Sequence, residues 1–241
     1  MTTLSADFAS QQDKYRFRRK FLRDYFGRPI MSVVAKITAS GLEYIPSREP
    51  TLFMINHIAG VDPLLVMGTV LSRFVVPFSK IENLDIPIGK YFINAWGVVP
   101  VRRGEVDRMA LQVSLDLLKR GYSMVIAPEG HRAPALQEAK EGVAYLATRT
   151  NAIVVPVGVD GTREFMDNLK HLRRTPVTMA YGKPFRFRLN GKTRATREDT
   201  AAMMHQAMYQ LALLLPDYRR GFYSDLSKAS TDLLEFVNPI P

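Results

Sequence analysis

The sequence predicts an α/β fold: a single domain with a central, mostly parallel or mixed sheet flanked by helices, plus an N-terminal basic amphipathic helical segment. Three observations carry this. Apolar runs of strand length alternate with amphipathic stretches of helix length, and the connections between them are short. At 241 residues, with 46% apolar and 23% charged side chains, the chain can bury one good-sized core. No internal repeat, low-complexity tract or long linker divides it. The expected division is residues 1–40 as an N-terminal helical, membrane-interface segment, 41–216 as the α/β domain and 217–241 as a C-terminal arm.

Residues 1–13 are polar and read as frayed. A helix is expected over 14–26, where Phe17, Phe21 and Tyr25 recur every four residues beside Tyr15, Leu22 and Phe26. Arg16, Arg19, Lys20 and Arg23 fall opposite. Such a helix can lie in a membrane interface, rings among acyl chains and cations near anionic headgroups. It can equally pack its apolar face on the core, and the periodicity is the same. Gly27-Arg28-Pro29 reads as a break, with a second helix over 30–38, an extended lead-in over 42–45 and a turn over 46–50.

The run Leu52-Phe53-Met54-Ile55 reads as a buried strand, followed by a helix from Asp62 to about Leu71, in which Asp62 is the expected N-cap and Pro63 the first helical residue. A strand over 74–77, a loop or short helix over 83–89 and a helix over 90–95 come next. Residues 97–104 form an apolar strand ending in Arg102 and Arg103. The helix over 107–120 is closed by Gly121, and a strand over 124–127 runs into Pro128-Glu129-Gly130-His131-Arg132. Then come a helix over 138–149 stopped by Asn151, strands over 153–159 and 177–181, and a helix after Thr196. Asp199 stands where it completes a capping box, and Pro216 ends the helix. The arm beyond is irregular, with Tyr218, Phe222 and Tyr223 as anchors.

The chain has no cysteine, which excludes disulfides, thiolate metal sites and a cysteine nucleophile. Its four histidines are not closely paired, so no metal is expected. The net charge is +10, and residues 1–40 hold eight cationic side chains against three acidic ones. Half of the excess therefore sits in the first sixth of the chain, and it favours an anionic partner. No apolar run approaches the roughly 20 residues of a membrane span, and the first residues lack the apolar stretch of a secretory signal. The expected location is the cytoplasmic face of a membrane, peripheral or monotopic.

In an open α/β sheet, functional groups gather where strands give way to loops at one edge. Three strand ends carry unusual polar residues: His57 with Asp62, Arg102 with Arg103, and Glu129 with His131 and Arg132. On one continuous helix, residues five apart diverge by about 140° and do not meet. The tight turn Asn56-His57-Ile58-Ala59-Gly60-Val61-Asp62-Pro63 can instead fold the carboxylate onto the imidazole, giving a base with its orienting acid. Read alone, the same residues also describe a helix cap beside an ordinary histidine. Arginine suits a phosphate because its fixed fork holds two oxygens at once.

These blocks, in this order, resemble the glycerolipid acyltransferase family of the lysophosphatidic acid acyltransferase type. The resemblance covers roughly residues 45–184. His57-x-x-x-x-Asp62 preceded by Asn56 is its most specific part. Val98-Val99-Pro100-Val101-Arg102-Arg103-Gly104, Pro128-Glu129-Gly130-His131-Arg132 and Ile153-Val154-Val155-Pro156-Val157 match the later blocks, and Lys80, Lys140 and Gly142 also fall at familiar places. The chain departs in having His131 where threonine is usual, Ala133 where serine is usual and Arg102 where aspartate is common.

The resemblance implies transfer of an acyl group from acyl-CoA or acyl carrier protein to the free hydroxyl of lysophosphatidate, giving phosphatidate, with no further cofactor. His57 and Asp62 are then the catalytic base and its orienting acid. Arg103, Arg132, Lys80 and Lys140 bind the acceptor's phosphate, and Glu129, Gly130 and His131 position it. No nucleophile is offered, so transfer is expected to be direct. Alternatives are another lysophospholipid or glycolipid acceptor, or a non-catalytic basic protein that binds lipid or nucleic acid. No G-x-S-x-G elbow is present. Gly191-Lys192-Thr193 ends like a P-loop, but Arg186 stands where its first glycine belongs.

Overall fold

Leu52-Phe53-Met54-Ile55 is buried on both faces, as a central parallel strand must be. In the computed structural model, which describes residues 7–85, 87–101 and 107–238, it forms the middle of a nine-stranded mixed sheet. The strands are β1 (Ala35–Ser40), β2 (Thr51–Ile55), β3 (Val75–Lys80), β4 (Val99–Val101), β5 (Ser123–Ile126), β6 (Ile153–Asp160), β7 (Thr175–Tyr181), β8 (Phe185–Phe187) and β9 (Leu234–Phe236). Their order is β1-β7-β6-β2-β5-β3-β4, with β8 and β9 attached beside β6. From β6 to β4 neighbouring strands run parallel; β7 reverses against β6, and β1 follows β7. The ends of β2, β5, β3 and β4 therefore open on one edge.

The helices are α1 (Arg16–Phe21), α2 (Arg28–Val34), α3 (Asp62–Thr69), α4 (Pro87–Trp96), α5 (Arg108–Lys119), α6 (Gly142–Thr150), α7 (Phe165–Lys170) and α8 (Arg197–Ala212). Strand alternation sends Leu52, Met54 and Met124 to one side, under α5, α6 and α8. Phe53, Ile55 and Val125 go to the other, against α3 and α4. The capping box at Thr196 and Asp199 forms as expected, and Asn151 closes α6 in left-handed backbone at φ 52°.

Several expectations are corrected. Backbone of helical type runs through Gly27-Arg28-Pro29 instead of breaking there. A π-type stretch, Leu22–Gly27, links α1 to α2, and the widened turn makes room for the proline ring that would clash in a regular helix. The second helix stops at Val34, and the residues that follow form β1, where alternate side chains are more buried. Residues 42–44 make a 3-10 turn, not an extended lead-in, and α6 begins at Gly142 because the preceding loop folds onto the site. β8, β9 and α7 are short elements with no clear sequence period.

The N-terminal helix is turned opposite to a core-packing amphipath. Phe17 is 80% and Tyr25 69% exposed, whereas Arg19 is 1% exposed. Arg19 Nε donates to Trp96 O at 2.6 Å, and Arg23 stacks on Phe74 while donating to Leu71 O. Trp96 is the last residue of α4, where a carbonyl lacks a helical partner, and Leu71 lies just beyond the end of α3. Burial lowers the Arg19 pKa to about 10. Among the described residues, no helix is long and apolar enough to cross a membrane.

Candidate active site

β2 stops pairing at Ile55, and the next residue extends the strand by side chain. The Asn56 amide donates to Val159 O and accepts from Val159 N, both at 2.8 Å. This clamp to β6 fixes where the chain leaves the sheet, and His57 is the first residue beyond it. The His57 carbonyl accepts from Ala133 N at 2.9 Å, tying the turn to the loop after β5.

Asp62 does not cap α3. Val61 is the N-cap, and Asp62 is the first helical residue. Its fully buried carboxylate turns back into the preceding turn, where Oδ2 accepts from Ile58 N and Ala59 N, each at 2.7 Å. The same oxygen lies 3.1 Å from His57 Nδ1. With a carboxylate as acceptor, Nδ1 carries the ring proton and Nε2 keeps the lone pair. The imidazole is itself 7% exposed. The imidazole is thus held in one tautomer by an acid that the turn itself anchors.

Gly60 matters for space, not for a left-handed backbone: a Cβ there would come within 3.0 Å of Arg132 Nη2. Gly130 combines both needs. It has φ +74°, and an added Cβ would meet Lys140 Nζ at 3.3 Å. The two side chains expected to bind phosphate, Arg132 and Lys140, thus lie over glycines of the two loops that frame His57.

Glu129 is buried and binds backbone: Oε2 accepts from Gln137 N at 2.9 Å, and the His57 N–H is a second donor. Burial raises its pKa, and those two hydrogen bonds oppose the rise without cancelling it. The carboxyl thereby joins the β2 and β5 loops. His131 is exposed, with Nδ1 2.9 Å from Glu129 O. The neutral ring therefore presents Nε2 as an acceptor, and becomes a donor only when protonated. Lys80 ends β3 in register with Val101 of β4, two strand spacings or about 10 Å from β2. Arg102 and Arg103 lie outside the described residues.

Sequence reasoning missed the groove beside this pair. A cavity of about 1000 Å³ has His57, Gly130 and Lys140 in its lining. Phe78 and Leu111 add apolar surface, and Tyr145, Arg149 and Arg197 bring an aromatic ring and two cations. Tyr145 and Arg149 are four apart on α6, and the guanidinium lies over the ring at 5.2 Å. That spacing is a signal in the sequence, but only the fold shows that it faces the base.

Comparison with known proteins gives the family. The Acyltransferase family model matches residues 36–160, just over half of the chain. The chain is 31% identical over 134 residues to the 1-acyl-sn-glycerol-3-phosphate acyltransferase of Borreliella burgdorferi, covering 54% of this chain and 53% of that protein. It is 34% identical over 138 residues to the chloroplastic 1-acyl-sn-glycerol-3-phosphate acyltransferase LPAT1 of Arabidopsis thaliana, covering 54% and 38%. The matched stretch thus spans about half, or less, of these relatives. The crystal structure of the 1-acyl-sn-glycerophosphate (LPA) acyltransferase PlsC from Thermotoga maritima superposes with a TM-score of 0.61, covering 95% of this chain and 96% of that one. At 20% identity, that likeness speaks to the fold.

Proposed function

This chain belongs to the Acyltransferase family, and from that premise we propose that it transfers a fatty acyl group from a thioester, acyl-CoA or acyl carrier protein, to the free hydroxyl of lysophosphatidate. The observation that carries the chemistry is the 3.1 Å contact between His57 Nδ1 and Asp62 Oδ2. His57 Nε2 takes the acceptor's hydroxyl proton as that oxygen attacks the thioester carbonyl. Asp62 stabilises the imidazolium that results. Collapse of the tetrahedral intermediate expels the thiolate, which takes the proton back from His57, so the ring is restored and no acyl-enzyme forms.

Arg132 and Lys140, with Lys80 from a neighbouring strand end and with Arg103, hold the acceptor's phosphate. Glu129 and Gly130 keep the two loops in register around it, and His131 stands beside the same acceptor. The groove along α5 and α6 takes the donor, its apolar walls matching an acyl or pantetheine chain. The outward-facing aromatics of α1 and the π-type stretch lie in the interface of an anionic membrane, on its cytoplasmic face. Their exposure supports this, as does the burial of Arg19 on the opposite side.

The test is direct. Purified protein is given labelled acyl-CoA or acyl carrier protein donors with a panel of lysolipids, and the products are identified by mass. Phosphatidate from lysophosphatidate is expected. Acylation confined to a lysolipid without a terminal phosphate would contradict the acceptor, and salt-dependent oligonucleotide binding with no acyl transfer would contradict the whole reading.

A further inference from the structure

The connection from β6 to β7 leaves the same sheet edge as His57. It contains α7, which closes by two backbone bonds: Leu172 N donates to Leu169 O at 3.1 Å and Arg173 N to Asn168 O at 2.8 Å. This is the Schellman pattern, and it requires left-handed backbone at the residue after the cap, where glycine or asparagine normally stands. Leu172 holds it at φ 52°. The other described residues with positive φ are glycines and the asparagines Asn151 and Asn190.

Leu172 breaks a second rule as well. Its side chain is 94% exposed, so it gains nothing from the core of its own chain. A residue that is locally strained and also wasted on solvent points to a requirement outside the isolated fold. Its neighbours share a character. Met166 is 60% exposed, and Arg163, Lys170, Arg173 and Arg174 stand among residues 161–174 against Glu164 and Asp167. These four cations are exposed.

The turn is also continuous with the N-terminal segment. Arg174 Nη2 donates to Ser32 O at 2.8 Å and Ala35 O at 3.1 Å, binding the turn to the end of α2. On that helix Ile30 is 55% and Val33 70% exposed. Phe26 is likewise 50% exposed, so exposed apolar groups continue along the N-terminal segment to the helix end that Arg174 holds.

We propose that the α7–β7 turn is a second membrane-contact element, in which Leu172 and Met166 enter the interface of an anionic phospholipid bilayer. Lys170 and Arg173 meet its headgroup phosphates. The apolar groups protrude singly from a basic surface, a shape suited to a fluid interface. Together with the N-terminal helix, the turn gives two points of attachment and so fixes how the His57 edge meets the lipid. The proposal rests on the reading that the N-terminal segment lies on a membrane.

The test uses the full chain and vesicles of phosphatidylethanolamine and phosphatidylglycerol. Leu172→Gly removes the side chain and the backbone strain together, so Tm should hold or rise while the vesicle partition coefficient falls about tenfold. A purely structural leucine would move the two readouts otherwise. Leu172→Trp should retain binding, and brominated acyl chains should quench it beyond the wild-type level set by the buried Trp96. Unchanged partition of Leu172→Gly, with the wild type bound, overturns this proposal alone. A shift in sedimentation with unchanged partition overturns it in favour of contact with a second copy. If the wild type does not bind these vesicles, the N-terminal reading fails with it.

Discussion

The guanidinium of Arg132 lies against the bare α-carbon of Gly60, so close that a Cβ would stand 3.0 Å from Nη2. The loop after β5 thereby delivers a cation onto the turn that carries His57 and Asp62. Gly60→Ala must push that side chain aside. We expect KM for lysophosphatidate to rise on the order of tenfold with kcat little changed. A monoacylglycerol, lacking the phosphate, should be used equally poorly by both proteins. Steady-state kinetics on the two acceptors check this.

Glu129 makes a prediction about pH. Its pKa is raised in the fold from an ordinary 4.5, so the native state holds the proton more tightly than the unfolded chain. The group's favourable contribution is complete below the ordinary value and is lost as pH rises through the raised one. Glu129→Gln removes that slope. Denaturant unfolding across this window should show the variant's stability gaining on the wild type as pH rises.

Arg19→Met keeps the apolar stem but leaves Trp96 O without its charged donor. A loss of about 2–3 kcal/mol is expected in chemical denaturation. The effect should exceed that of Arg16→Met, whose side chain is exposed.

The outward aromatics should behave in the opposite way. Replacing Phe17, Phe21 and Tyr25 together by serine should leave stability within about 0.5 kcal/mol per site. Binding to anionic vesicles should fall by an order of magnitude or more. Added salt should weaken the binding that remains. Flotation and thermal unfolding of the same variant separate the two readouts.

The His57–Asp62 pairing was legible because a strand end, a short turn and an Asp-Pro helix start leave little freedom between them. The mixed sheet and the capping box at Thr196 were legible for similarly local reasons. The inward turn of Arg19 was not, because a helical period is the same whether its apolar side faces the core or the solvent. Nor was the meeting of Arg132 with Gly60, which depends on β5 lying beside β2 across some 70 residues of chain. The expected helix over 30–38 overlaps the first four residues of β1, although Val33, Val34, Ile37 and Thr38 are β-branched. A run that straddles a helix end and a strand start carries both signals at once.

The most direct test of the central claim is the single-turnover rate of His57→Ala with acyl thioester and lysophosphatidate, alongside its circular dichroism and Tm. A loss of at least about a hundredfold in a folded variant is the predicted result. A folded His57→Ala protein that turns over within about twofold of the wild type would show that the imidazole is not the base.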